Sequence, residues 1–140
     1  MASILNVDQI GHSTSGTTAI TIASDGTVTM PENDSGWIEI TLDSPFTAFT
    51  GSTDFGNPEY RKIGNIVNIQ GLIEVNSASN ASTIFTLPVG YRPKKRIIFT
   101  VENGNQVTSR VDIFPNGEVE AHSLANNGTW LNLSMTFMVA

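Results

Sequence analysis

Apolar and polar residues alternate along most of the chain, which is the pattern of half-buried β-strands. The clearest run ends the chain, where every second residue is apolar: Leu131, Leu133, Met135, Phe137 and Val139. Shorter runs of the same kind cover residues 37–42, 60–63, 66–75, 83–87, 97–101, 107–113 and 118–122. No segment shows the period of an amphipathic helix. We therefore predict an all-β protein with an antiparallel, jelly-roll-like β-sandwich of about eight strands over residues 32–140.

Turn residues separate these runs. Gly64-Asn65, Asn103-Gly104 and Asn116-Gly117 each stand between two alternating segments, and Asn next to Gly is typical of tight turns. Residues 43–58 contain three phenylalanines, at positions 46, 49 and 55, among small polar residues. Because this segment lacks alternation, we predict a long loop there.

The first thirty residues form a separate part. Residues 20–22 and 28–30 alternate around Asp25-Gly26, which predicts a β-hairpin. Pro31 lacks the N–H that a strand ladder needs and ends the second strand. Residues 4–10 are apolar, but the segment is too short for its period to distinguish strand from helix.

A two-stranded hairpin is marginally stable at best in water. Its apolar face must therefore be covered by the second part, by sister chains or by a larger particle. We divide the chain into an N-terminal segment, residues 1–31, and a head domain, residues 32–140. The residues expected to make the covering contact are Ile4, Val7, Ile20, Ile22, Val28 and Met30.

Composition and charge exclude several classes of protein. Ser, Thr and Asn supply 42 of the 140 residues, and only 14% are charged, unlike a disordered tail. The net charge of −6 argues against binding to nucleic acid, whose phosphates require clustered basic residues. The one basic run, Lys94-Lys95-Arg96, is short and is interpreted as a solvated loop edge. No apolar run approaches the ~18 residues of a membrane span, and we expect neither membrane insertion nor a signal peptide.

The chain carries little that points to catalysis. It has no cysteine, so disulfides, thiolate chemistry and Cys-ligated zinc are absent. Its two histidines, His12 and His122, lack the spacing of a metal-binding pair, although a threefold assembly could gather three copies of one of them around a metal. The Gly11–Ser15 segment departs from the Gly-x-Ser-x-Gly pattern of serine hydrolases. We expect no catalytic residues, no cofactor and no metal ligands.

Three aromatic residues are candidates for contact with a ligand or another subunit: Trp37, Tyr91 and Trp130. An aromatic ring with a polar group can stack on a sugar or pack on a protein surface. Trp130 is out of phase with Leu131 and Phe137, so it points away from the sheet face that those residues build. We favour packing of Trp130 against a neighbouring subunit over stacking on a glycan.

Several stretches carry a resemblance to a known group of proteins. Residues 4–10 (Ile-Leu-Asn-Val-Asp-Gln-Ile) and 19–29 resemble the N-terminal segment of small fibre proteins of tailed bacteriophages. Four further stretches resemble phage receptor-binding head domains and fibre tips: residues 60–71, 86–93, 113–119 and 130–133. The most specific of them is Leu-Pro-Val-Gly-Tyr-Arg-Pro at 87–93.

The resemblance implies a trimeric, β-structured virion protein that is made in the host cytoplasm and displayed on the particle surface. Residues 1–31 would then anchor it to other virion proteins, and the sandwich would face outward for attachment to the host, with a cell-surface glycan as a candidate partner. A capsid decoration protein, either a head fibre or a cement protein, is the alternative among structural proteins. A free carbohydrate-binding module is the alternative from another class.

Overall fold

The computed structural model describes residues 9–11, 18–22, 24–29, 34–77, 80–104, 107–124 and 129–139. All regular secondary structure in these residues is β, in fourteen strands. The chain divides into two compact units, residues 1–35 and 36–140. The boundary between the units lies a few residues after the one that the sequence analysis set at Pro31.

The first unit contains a three-stranded antiparallel sheet of β1 (Gln9–Gly11), β2 (Thr18–Ile22) and β3 (Val28–Thr29), in that order. The predicted hairpin is formed by β2 and β3, with Ile22 opposite Val28. In its turn, the Thr27 N–H donates a hydrogen bond of 2.9 Å to Asp25 Oδ1. Hydrogen bonds from the Thr27 backbone and side chain hold the pKa of Asp25 below its usual value. The strand β1, which the sequence pattern left undecided, extends the hairpin to three strands.

The second unit contains eleven strands among its described residues. They are β4 (Ile38–Glu39), β5 (Phe46–Ala48), β6 (Glu59–Ile63), β7 (Ile66–Gln70), β8 (Leu72–Val75), β9 (Ser82–Thr86), β10 (Ile97–Glu102), β11 (Thr108–Ile113), β12 (Glu118–His122), β13 (Thr129–Asn132) and β14 (Met135–Met138). They form sheet I (β14-β7-β6-β4), sheet II (β13-β8-β5) and sheet III (β10-β11-β12-β9). All the pairings are antiparallel, so the predicted all-β, sandwich-like fold is confirmed.

All three sheets contribute to one apolar core. The largest fully buried apolar side chains are Phe85, Ile73, Ile84, Leu87, Ile113, Leu131, Leu133, Val67, Val75, Val111 and Val119. Because strands alternate their side chains between faces, the inward faces of these strands are the apolar ones that the sequence pattern predicted. Burial of this set supplies the main stabilisation of the unit.

Two neighbouring chain segments change sheet at the same place, which we call the sheet corner. Only Gly71 separates β7 in sheet I from β8 in sheet II, and their partners β14 and β13 separate at Leu133-Ser134. The Leu133 N–H donates a hydrogen bond of 2.9 Å to the Gly71 carbonyl. Inward side chains continue to alternate through the corner, because both sheets face a common core. For this reason the sequence pattern showed β7 and β8 as one strand, and β13 and β14 as another.

Gly71 meets a steric requirement at this corner. Its φ is +132°, and a Cβ atom here would lie 2.6 Å from the Cα of Pro58. Pro58 is buried and its carbonyl accepts a 2.8 Å hydrogen bond from the Ile40 N–H. Any side chain at position 71 would push this fixed segment away, since real Cβ atoms do not approach so closely.

The predicted loop at residues 43–58 contains a strand that the sequence analysis missed. Phe46 is buried, and Ala48 pairs with Ile73 of sheet II. Three residues among small polar neighbours are too few for an alternating pattern to be visible. The remaining stretch, residues 49–58, is the loop that leads to Pro58, and we call it the corner loop.

Two of the phage-like stretches meet in the structure. The Leu87 N–H donates a 2.8 Å hydrogen bond to the Gly117 carbonyl, and Arg92 Nε donates one of the same length to the Leu87 carbonyl. Gly117 has a φ of +97°, and a side chain there would collide with Leu87 and Arg92. The stretches at 86–93 and 113–119 thus form one packed turn junction at the ends of β9 and β12.

Replacing Gly71 by Ala should destabilise the second unit more than replacing Gly64 by Ala. Both glycines have positive φ, but a Cβ at Gly64 would meet nothing within 4 Å. Gly64→Ala should therefore cost only the backbone strain, about 1–2 kcal/mol, whereas Gly71→Ala adds the collision with Pro58. Chemical denaturation of both variants measures the difference, and equal losses would mean that the corner tolerates a side chain.

Candidate functional site

The outer face of sheet I exposes apolar side chains. Ile63, Ile66 and Met138 are directly opposite one another on β6, β7 and the end of β14, and they are 45%, 44% and 67% exposed. We call these three residues the apolar row. Trp37, which precedes β4, is also exposed, and the Arg61 guanidinium carbon lies 5.7 Å from its ring centroid. Contiguous exposed apolar side chains of this kind mark interaction surfaces.

The other two aromatic candidates lie on different elements. Tyr91 follows β9 and is half-buried against Tyr60, with ring centroids 5.0 Å apart and ring planes at 77°. The Lys62 ammonium lies 5.1 Å from the Tyr91 ring centroid. Trp130 is half-buried in β13 of sheet II. Among the described residues no ring contact joins any two of the three candidates, so their roles stay predictions.

The residues expected to anchor the N-terminal part are only partly described. Ile4, Val7 and Met30 lie outside the described residues, as does His12. The other three occur in the first sheet: Ile20 and Ile22 in β2, and Val28, whose side chain is 56% exposed, in β3. Their anchoring role stays a prediction.

A charged cluster lies on the outward face of sheet III around Asp112. This carboxylate is fully buried, although it is on the outward side of β11. Arg110 Nε and Nη2 donate hydrogen bonds of 2.7 and 2.6 Å to it, and Arg96 donates through Nε at 2.6 Å and through Nη2. The Arg96 guanidinium carbon also lies 4.3 Å from the Phe114 ring centroid. Two arginines therefore cover one carboxylate, which satisfies its buried oxygens.

His122 borders this cluster. Its side chain is only 15% exposed, and Nε2 lies 3.2 Å from Glu120 Oε2 and 3.7 Å from Asp112 Oδ2. Nε2 is buried and makes no hydrogen bond to a described residue. His122 pairs with Arg110 across β11 and β12, so it lies on the outward face of sheet III, where its side chain is nevertheless largely buried.

The ionisation of Asp112 fits a structural role. Burial raises the pKa of its carboxyl, but the hydrogen bonds from Arg110 and Arg96 more than offset this, so the pKa of Asp112 lies below its usual value. A carboxylate held ionised by two arginines is a poor proton acceptor.

Among the described residues, no group of three or more His, Cys, Asp or Glu side chains is arranged to hold a metal ion. No helix in the described part of the chain has the length and apolarity to cross a membrane.

The sheet corner and the corner loop border an open cleft of about 310 Å³. We call it the corner cleft. Its described lining residues are Asp54, Phe55, Gln70, Gly71, Leu72, Asn132 and Ser134. Sequence reasoning missed this site because its residues come from three distant segments, and only Gly71 within an apolar run hinted at an irregularity there.

The corner loop is fixed where it begins and ends. The Phe49 N–H donates a 3.1 Å hydrogen bond to the Leu72 carbonyl, and the hydroxyl of Thr50 donates one of the same length to Glu74 Oε1. The Phe49 and Phe55 rings meet edge to face at 5.7 Å. A second cleft, of about 400 Å³, lies along the same loop. These contacts hold the side chains of the corner cleft on a supported scaffold.

The described chain is thus an all-β, sandwich-like protein with an exposed apolar row and a polar cleft where two of its sheets meet. Its fold is similar to a solved structure, the receptor binding protein (gp15) of Listeria phage PSA, with a TM-score of 0.62 and 12% sequence identity. The similarity covers 75% of this chain and 65% of that chain, which is less than two thirds of the phage protein. No protein-family model matches the chain. No curated protein sequence matches it.

Replacing Asp112 by Asn should destabilise the protein in a pH-dependent way. Near neutral pH the loss should be about 1–3 kcal/mol, because hydrogen bonds from two arginines to a charged acceptor are weakened. The pKa of Asp112 in the folded state lies below its value in the unfolded chain, so its contribution is fully present above the unfolded-state pKa and disappears as the pH falls through the lower folded-state pKa. The wild-type and variant stabilities should therefore converge in strong acid.

Denaturant unfolding at several pH values measures this difference. Glu102→Gln is the matched control, since Glu102 is exposed on the neighbouring strand β10 and its replacement should change stability by about 0.5 kcal/mol or less. A difference between the wild type and Asp112→Asn that stays constant with pH would show that the charge of Asp112 does not stabilise the fold.

Proposed function

We propose that this protein is a non-enzymatic bacteriophage virion protein that attaches the particle to the host-cell surface. The observation that carries the proposal is the shared fold with the receptor binding protein (gp15) of Listeria phage PSA. The step from a shared fold to a shared role is our own, because one fold can serve many functions. The phage-like stretches at 86–93 and 113–119 support the step, since they pack into one junction.

In this proposal the first unit joins the protein to the particle. It is a separate compact unit, residues 1–35, with its own three-stranded sheet. Val28 in this sheet is exposed, and an exposed apolar side chain on a three-stranded sheet is suited to pairing with another virion protein. The second unit then remains available to face the host.

We further propose that the protein is a homotrimer. The apolar row supports this, because exposed Ile63, Ile66 and Met138 form a contiguous surface of residue types that are usually buried. Sister chains are the occupants that we assign to it. A trimer also presents three copies of any receptor site, and multivalency can raise binding by about 10²–10⁴ over a single site.

Light scattering of the full chain tests the oligomeric state. We expect three times the 15.0 kDa of one chain. Met138→Glu should lower the mass towards one chain, because it introduces a charge into the apolar row, whereas Val107→Glu should not, since Val107 is an exposed residue that directly precedes β11 of sheet III. A wild-type chain that is monomeric at micromolar concentration would contradict the trimer.

Competition for the host surface tests the attachment role. The purified full chain, added to host cells before the phage, should slow adsorption in proportion to the receptors that it occupies. Cells of a resistant strain that lacks the phage receptor should bind none of the chain. This control separates receptor binding from nonspecific adhesion.

Two outcomes would replace the proposal. A chain that neither binds cells nor slows adsorption, with antibody labelling of the capsid shell on intact phage, would identify a decoration protein. A chain that binds soluble glycans but is missing from purified particles would identify a free carbohydrate-binding module.

A further inference from the structure

The corner cleft contains polar groups whose hydrogen-bonding capacity the protein leaves unused. The Asp54 carboxylate accepts no hydrogen bond from the described residues; only its backbone N–H is engaged, with Ser52 Oγ at 3.2 Å. Asn132 uses Oδ1 to accept the Ser134 N–H at 2.8 Å, and its side-chain NH₂ donates no hydrogen bond within the described part of the chain. Toward the residues that the structure describes, the Ser134 hydroxyl makes no hydrogen bond, and the side chain of exposed Gln70 makes one long bond of 3.4 Å to Glu59.

We propose that the corner cleft binds a neutral sugar residue of a cell-surface glycan, an inference that rests on the proposed attachment function. Each sugar hydroxyl can donate one hydrogen bond and accept others, so it needs partners of both kinds. The cleft offers an acceptor in Asp54, a donor in Asn132 and a group that does both in Ser134. The cleft volume of about 310 Å³ is at the lower end of ligand sites, which suits a monosaccharide unit at the tip or side of a glycan.

The apolar part of the cleft lining suits the face of a sugar ring that carries C–H groups. Phe55 is 52% exposed beside the cleft, while Leu72 beneath it is buried. The C–H groups on one face of a pyranose ring pack against an aromatic ring, and its hydroxyls remain at the edge for polar contacts. Phe55 is held edge to face against Phe49, so little ordering of the ring is needed on binding.

The charge of the site selects against anionic ligands. Asp54 is the only charged residue among the described residues that line the cleft. A phosphate- or carboxylate-bearing glycan would place a second negative charge beside this carboxylate, with no lining cation to compensate. The protein as a whole carries a net charge of −6, which adds to this discrimination. Neutral sugars are therefore the class that the cleft fits.

NMR titration of the isotope-labelled full chain tests this inference. The probes are the methyl glycosides of D-glucose, D-galactose, N-acetyl-D-glucosamine and L-rhamnose, with glycerol phosphate and D-glucuronate as anionic comparisons. At least one neutral probe should shift the amide signals of Asp54, Gly71 and Ser134, with a dissociation constant of about 1–10 mM, as expected for a single small site. The anionic probes should bind more weakly than that sugar.

Four variants give the test its controls. Asp54→Asn and Phe55→Ala should each weaken binding of that sugar about tenfold, equal to about 1.4 kcal/mol. Asp43→Asn and Val89→Ala replace exposed residues outside the cleft and should leave binding unchanged. An unchanged spectrum of each variant without sugar confirms its fold.

The inference is wrong if no neutral probe shifts the cleft signals, if the shifts map elsewhere, or if the cleft variants bind as the wild type does. It is also wrong if an anionic probe binds more tightly than every neutral one. A chain that blocks phage adsorption yet binds no sugar in the cleft would refute this inference alone. A chain that binds a neutral sugar in the cleft but does not block adsorption would refute the attachment role alone.

Discussion

The close approach of Gly71 to Pro58 is the contact on which the second unit depends. A residue with a positive φ and no side chain lets the chain pass from sheet I to sheet II within one step, and the partner segment follows at Leu133, bonded to the Gly71 carbonyl. The same contact fixes the end of the corner loop. One steric constraint therefore closes the sandwich at this end and forms the cleft beside it.

The stability of the protein and its surface chemistry are separated in space. The inward faces of the three sheets are mainly apolar and buried, and the buried polar pair Asn103 and Ser109 is joined by a 2.9 Å hydrogen bond, so these residues define the fold. The outward faces differ: sheet III has a carboxylate neutralised by two arginines, sheet I has the apolar row, and the corner has the polar cleft. This difference leads us to assign packing between chains to sheet I and ligand binding to the corner.

The sequence predicted the strands and their inward faces because alternation reports burial directly. It did not predict the sheet corner, since Leu131, Leu133, Met135 and Phe137 are all buried even though the chain changes sheet among them. It missed β5 because Phe46–Ala48 is short. The corner cleft could not be predicted from the sequence either, because the fold places Asp54 of the corner loop and Asn132 of β13 around one cleft, and no local pattern encodes that proximity.

The most direct test asks whether the sheet corner is the surface that contacts the host. It compares hydrogen–deuterium exchange of the full chain with and without cell envelopes of the phage's host. Binding slows exchange of amides that become covered or held more rigidly. We predict slower exchange in peptides covering residues 49–58 and 129–134, with no change around Arg96 and Arg110 on the outward face of sheet III. Protection confined to sheet III, or equal exchange with and without the envelopes, would contradict attachment through the corner cleft.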